Sequence, residues 1–172
     1  MRVEVLDPAS YEAAIPELAE LVVDAVDGGA SINFLAGATP DQTAGWWRAR
    51  SVGVAAGTIT VFVARDESGR IVGSTLIERS TNPNSPHRAE IGKVIVHRAS
   101  RRQGIATALM TAAEELARAE GRWMLILDTV TGSAAAALYE SLGWQTVGTI
   151  PGYALDTAGV PEPATYYYKD LR

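Results

Sequence analysis

Val94-Ile95-Val96-His97-Arg98-Ala99-Ser100-Arg101-Arg102-Gln103-Gly104-Ile105-Ala106 runs from a β-rich segment through a short loop into the first turn of a helix. A helix start exposes backbone N–H groups that lack intrahelical partners, and it is the positive end of the helix dipole. Gly104 has no Cβ and Ala106 has a small one, so a ligand can approach the backbone closely. Arg101 and Arg102 add charge around these donors. The ligand such a cradle suits is a phosphate or pyrophosphate. A basic helix start packed on a sheet, with its arginines merely solvated, remains open on these residues alone.

The elements on either side follow from periodicity. Downstream, Gly104 to Glu120 is predicted helical, with Ile105, Leu109, Ala112 and Leu116 inward and Gly121 as its cap. Trp123 to Leu127 is almost wholly apolar and reads as a central strand buried on both faces. Ser133 to Leu142 reads as a short helix, and Thr146 to Ile150 and Thr165 to Lys169 as the last strands. Upstream, Glu90 to Val96 is a strand with a bulge or a close-packed glycine at Gly92. Thr58 to Ala64 and Ile71 to Ile77 flank Asp66-Glu67-Ser68-Gly69 as a hairpin, and Thr81 to Pro86 is a loop. Arg2 to Leu6 is a short strand, and Tyr11 to Asp27 is a helix that Pro16 either begins or kinks. Thr39-Pro40-Asp41-Gln42 carries a capping box and opens a helix to about Val54. This order predicts an α+β sandwich: a mixed, mostly antiparallel sheet flanked by helices, in one domain of residues 1–172.

Charge is concentrated around the same loop. Arg79 to Arg102 holds six basic residues (Arg79, Arg88, Lys93, Arg98, Arg101, Arg102) and one acid, Glu90. That stretch carries +5 in a chain of net −5, so the rest carries −10. An acidic chain with one basic segment suggests a local anion site and argues against nucleic acid and membrane as partners. The chain has no cysteine and only two histidines, His87 and His97, which removes thiol chemistry and leaves no metal centre to predict. Without a signal-like N-terminus or a long apolar run, a cytoplasmic protein is expected. There is no G-x-x-x-x-G-K-[ST] and no G-x-G-x-x-G after the first strand, which sets aside P-loop and Rossmann sites.

Arg101-x-x-Gly104-x-Ala106 after a strand resembles the [RQ]-x-x-G-x-[GA] acetyl-CoA loop of the GNAT (GCN5-related) N-acetyltransferases. Ala135, Tyr139, Gly143 and Trp144 are in register with that family's A-x-x-x-Y-x-x-x-G-[FYW] motif. Four further segments resemble the tabtoxin-resistance type of GNAT enzyme, which acetylates an amino group on a small amino-acid-like toxin. They are Pro86-His87-Arg88-Ala89-Glu90, Leu127-Asp128-Thr129 with Thr131-Gly132, Ile150-Pro151-Gly152-Tyr153-Ala154 and Tyr166-Tyr167-Tyr168-Lys169. The resemblance implies the GNAT fold and acetyl-CoA as co-substrate. It implies that Val94, Ile95 and Val96 offer a strand edge to the pantetheine arm, through the backbone of Val94 and Val96. The N–H groups over Arg102, Gln103, Gly104, Ile105, Ala106 and Thr107 would hold the pyrophosphate, with Arg101 and Arg102 adding charge. Gly132 stands where the family often has Asn, so Ser133 or Thr131 is left to supply a hydroxyl.

Acetyl transfer to an amine needs a neutral amine in attack geometry, a proton or hydrogen bond for the leaving thiolate, and a proton acceptor. Tyr139, whose phenol is protonated at neutral pH, is the candidate acid; a plain core aromatic is the alternative. Glu90, at the start of the strand feeding the loop, and Asp128, at the end of the apolar strand, are the candidate bases or anchors for the substrate ammonium. Their structural alternatives are a salt bridge to Arg88 or Lys93 for Glu90, and a turn cap for Asp128. Trp46 or Trp47, Phe34-Leu35, Tyr153 and part of Tyr166 to Tyr168 are candidates for the acceptor wall. The expected activity is transfer from acetyl-CoA to a primary amine of a small molecule by direct attack in a ternary complex. Transfer to a protein or peptide, a noncatalytic acyl-CoA sensor, and a homodimer stay open.

Overall fold

In the computed structural model, which describes residues 1–172, one seven-stranded sheet runs in the order β1-β2-β3-β4-β5-β7-β6. The strands are β1 (Arg2–Val5), β2 (Ile59–Arg65), β3 (Ile71–Arg79), β4 (Arg88–Val96), β5 (Met124–Val130), β6 (Gln145–Leu155) and β7 (Pro161–Asp170). The helices are α1 (Pro8–Asp27), α2 (Pro40–Arg48), α3 (Ser51–Ala55), α4 (Ile105–Ala119) and α5 (Ala134–Ser141). Every strand pair is antiparallel except β4–β5. Successive residues of a strand point to opposite faces, so the sheet has two cores. Val61, Val63, Leu76 and Ile95 pack under α1 to α3. Phe62, Ile77, Ile91, Leu125 and Leu127 pack under α4 and α5.

α4 buries Ile105, Leu109, Met110, Ala113 and Ala117 on one stripe, and burying one large apolar side chain stabilises by about 1.5–3 kcal/mol. It lies close to β3 because Gly73 is beneath it. A Cβ there would stand 2.8 Å from Ile105 Cγ2 and 3.1 Å from Leu109 Cδ1. A larger residue at position 73 would lift the helix off the sheet.

Several sequence expectations are corrected. α1 starts at Pro8, where Asp7 accepts a hydrogen bond from the Ser10 N–H at 2.8 Å. Pro16 lies inside it on the exposed side, where solvent can reach the carbonyl its ring leaves unbonded. The helix predicted from Thr39 to Val54 breaks at Ala49, with the Arg50 side chain folded back so that Nη1 donates to Trp46 O at 3.0 Å. Trp123 begins no strand. β5 alternates instead of burying both faces, because its second half borders an open cleft. β6 and β7 are longer than predicted, and β6 is exposed along its whole length. No helix is long and apolar enough to cross a membrane.

Candidate active site

The cleft comes from a parallel pair that stops early. β4 and β5 are in register only over Arg88↔Met124, Ala89↔Leu125 and Glu90↔Ile126. Beyond that point β4 carries an extra residue opposite β3: Leu76 faces Gly92 while Ser74 faces Ile95. The bulge is centred on Lys93, which has a left-handed φ of 52°, one residue beyond the Gly92 the sequence pointed to. Past it, the His97 N–H bonds Val72 O of β3 at 2.9 Å. Backbone groups alternate in direction along a strand, so those of Val94 and Val96 face away from β3 into the gap. Ile95, buried in the core, faces its backbone toward β3.

This edge, free of any strand although Val96 O accepts from Arg101 Nε at 3.2 Å, leads to the start of α4 through a 3₁₀ turn, Arg98–Ser100. The turn is pinned to α1, since Asp24 accepts from Arg98 N and Arg98 Nε, both at 2.9 Å. His97 Nε2 lies 3.6 Å from the same carboxylate. Arg102 and Gly104 then take left-handed φ values of 63° and 78°. α1, α2 and α5 each begin with a side-chain cap, from Asp7, Thr39 and Ser133. α4 has none, and its first bond to the preceding loop is Ala108 N–H to Gly104 O at 3.0 Å. The N–H groups of Ile105, Ala106 and Thr107 are left as free donors at the cleft mouth. A Cβ at Gly104 would meet nothing within 4 Å, because it would project into the open mouth. These features fit a pyrophosphate.

The cleft encloses about 1410 Å³. The structure brings Glu90, Val94, Ile95, Val96, Arg101, Arg102, Gly104, Ile105, Ala106, Thr107, Asp128, Ser133 and Tyr139 to its lining. Gln103 points elsewhere, into a shallow groove beside Met1 and Asp66. The Ile105 side chain is core, so it offers only backbone. Ser133 caps α5, accepting from the Ala136 N–H at 3.1 Å. Of the basic residues, Arg79 is bound by Glu120 through Nε at 2.7 Å and Nη2 at 2.5 Å and does not line the cleft. His87 stacks on Trp123 at 4.3 Å.

Tyr139 is 5% exposed, held between Trp144 and Tyr167 with ring centroids at 6.1 and 6.2 Å. Its hydroxyl has no hydrogen-bond partner, yet it is not sealed off from the cleft. Burial, reinforced by the charge of Asp128, pushes its pKa up and keeps it protonated. Glu90 faces Glu78 directly across β3–β4, and Asp128 lies two residues beyond Ile126, the partner of Glu90 on β5. The three carboxylates therefore share one face of the sheet. Like charges directly opposite destabilise a sheet pair. Desolvation in the cleft, then repulsion by Asp128 and Glu78, raise the Glu90 pKa above the usual carboxylate value, against a smaller opposing effect of Arg88. Desolvation also raises Asp128, with Lys93 opposing. Neither acid forms the ion pair or turn cap that was its structural alternative.

Trp47 is fully buried, accepting at its carbonyl from the Tyr11 hydroxyl at 2.6 Å, and Trp46 is the tryptophan that lines the cleft. Phe34, Leu35 and Tyr153 complete that wall. Of the tyrosine run, Tyr167 turns toward Tyr139, while Tyr166 turns to the other face and meets the Tyr153 hydroxyl at 2.5 Å. Among the charged lining residues, Lys93, Arg50, Glu78 and Glu162 had no binding or catalytic role assigned from sequence. Glu78 is legible once the hairpin register is known. Arg50 reaches the cleft through a helix break that no local residue pattern announces, and Lys93 through a bulge one residue past the glycine that hinted at it.

Residues 57–146 match the Acetyltransferase (GNAT) domain family. The chain belongs to the GNAT acetyltransferases. Among solved structures it is similar to an N-acetyltransferase from Staphylococcus aureus Mu50 (16% identity, all of both chains, TM-score 0.80). It is also similar to a phosphinothricin acetyltransferase from Sinorhizobium meliloti in complex with acetyl-CoA (18% identity, 99% of this chain and 89% of that one, TM-score 0.78). A third is a ribosomal-protein-alanine N-acetyltransferase from Brucella melitensis (23% identity, 99% and 100%, TM-score 0.77). At these identities the likeness is one of fold.

Proposed function

We propose that residues 1–172 act as one domain that transfers the acetyl group of acetyl-CoA to a primary amine of a small molecule, by direct attack with both substrates bound. The observation that carries this reading is the parted β4 edge leading straight to the uncapped start of α4. Acetyl-CoA supplies an activated thioester. The backbone of Val94 and Val96 would pair with its pantetheine arm as an added strand does. The N–H groups from Arg102 to Thr107 would bind its pyrophosphate, with Arg101 and Arg102 adding screening charge. Tyr139 holds a proton for the leaving sulfur. Glu90, raised by desolvation and by two neighbouring carboxylates, accepts the proton of the amine, while Asp128 holds the amine in place. The four segments of tabtoxin-resistance type support a small amino-acid-like acceptor.

The test is acetyl-CoA-dependent thiol release over a panel of amines, free amino acids and peptides. Release with small amines is expected. Tight acetyl-CoA binding without release for any amine identifies a noncatalytic binding module instead, and release with peptides alone makes the acceptor a protein.

A further inference from the structure

The acceptor half of the cleft holds opposite charges that act on one another only at a distance, Asp128 on Lys93 and Glu78 on Arg50, without direct contact. Glu78, Glu90 and Asp128 lie on the strands, and the head groups of Lys93, also on β4, and of Arg50 gather at the Trp46 ring. Lys93 Nζ is 4.3 Å from the centre of the Trp46 ring and the Arg50 guanidinium carbon is 3.1 Å from it. No carboxylate lies within 4.0 Å of either cation. Their hydrogen bonds go to neutral groups: Lys93 to Ile32 O at 3.0 Å and to the Asn33 side-chain oxygen, Arg50 to Trp46 O at 3.0 Å. An ammonium has three donors and a guanidinium five, so both have donors to spare. Two partly desolvated cations with no counterion in contact are costly to keep. A ligand anion would supply what they lack.

We propose that Lys93, flanked by Arg50, binds an anionic group of the acceptor, so that the acceptor is a small amine that also carries a carboxylate or comparable anion. The inference rests on the acetyltransferase reading and adds the polarity of the acceptor to it. The bulge is what makes this work, because its positive φ turns Lys93 out of the strand alternation and into the cleft. An ammonium near Glu90 and Asp128 and an anion near Lys93 orient a dipolar acceptor in one direction. A simple hydrocarbon amine would satisfy only the acidic side.

The experiment compares kcat/KM for free amino acids with kcat/KM for their carboxamides and their decarboxylated amines, in the wild-type chain and in Lys93→Asn. Asn tolerates the left-handed conformation, so the bulge can persist. The change in preference between the two proteins cancels the differing basicity of the three amines. The wild type is expected to favour the carboxylate form. Lys93→Asn is expected to cut that preference roughly tenfold, as losing a charged partner does, and Lys93→Arg to keep most of it. A Lys93 that only ties down the Ile32-Asn33 loop would lower all three substrates alike, and that result overturns the proposal. So does a wild type that prefers the decarboxylated amine. If Lys93→Asn does not fold, the same ratio in Arg50→Gln and in the wild type decides. No transfer to any amine strikes the acetyltransferase reading itself, a result distinct from transfer without charge preference.

Discussion

The two ends of the cleft are built from different materials. The donor end is backbone: a free strand edge, a left-handed glycine and three unpaired N–H groups at the start of α4. The acceptor end is side chains, brought from α2, β3, β4, β5 and β6 and from positions as far apart as Phe34 and Tyr153. A backbone site depends on local geometry and tolerates a change of most side chains around it. A side-chain site depends on each residue and can be re-aimed by changing one. The donor end should therefore be insensitive to substitutions that transform the acceptor end, and the reverse should hold too.

The largest effect is expected at the acceptor end. Glu90→Gln should lower kcat by about 10²-fold or more, the usual worth of a general base, while acetyl-CoA affinity by calorimetry stays within a few-fold. An unchanged kcat would move the base elsewhere, with Asp128 the next carboxylate to test. Tyr139→Phe, where the two ends meet, should lower kcat by roughly 10²-fold and leave acetyl-CoA binding largely intact. At the donor end, Gly104→Val places a Cβ in the mouth and forces a left-handed backbone on a β-branched residue. The KM for acetyl-CoA should rise about tenfold or more, with little change in the KM of the acceptor. If both KM values rose together, the ends would not be separable.

The pH dependence sharpens the same contrast. With Glu90 as base, kcat/KM falls as pH drops through its raised pKa, above the usual carboxylate range. Asp128→Asn removes a repelling charge and should shift this acid limb to lower pH. An acid limb that stays in place would contradict the coupling. Desolvation in the cleft, then the Arg50 charge, bring Lys93 down to about 8, with Asp128 opposing. Glu78 and Glu90 are further carboxylates of the same cleft. The preference for anionic acceptors should therefore be full below that pH and fade above it. The smallest effect is electrostatic: salt should weaken acetyl-CoA binding only a few-fold, by screening exposed Arg101 and Arg102, and less so in Arg102→Gln.

The contrast also explains what the residue pattern revealed. The donor end was legible because its parts are contiguous: strand, loop, glycine and helix start lie within Val94 to Thr107. Glu90 and Asp128 were legible because each stands at the margin of an apolar run, although β4 begins before Glu90 and β5 continues past Asp128. Gly92 left a bulge or a close-packed glycine open, and the bulge falls one residue on, at Lys93, whose side chain gains the cleft. α2 ends at Arg48 with no glycine or proline to stop it, and the fold-back of Arg50 onto Trp46, four residues earlier, is a local contact that no stop residue marks. Trp46 and Trp47 are adjacent and equally apolar, and only the packing of Tyr11 against Trp47 decides which one faces the cleft.

The central claim is that both ends are filled at once and the acetyl group passes directly between them. Initial rates with acetyl-CoA and an amino-acid acceptor both varied test it most directly. Direct attack in a ternary complex predicts double-reciprocal lines that intersect. Parallel lines, the signature of an acetylated enzyme intermediate, would contradict it.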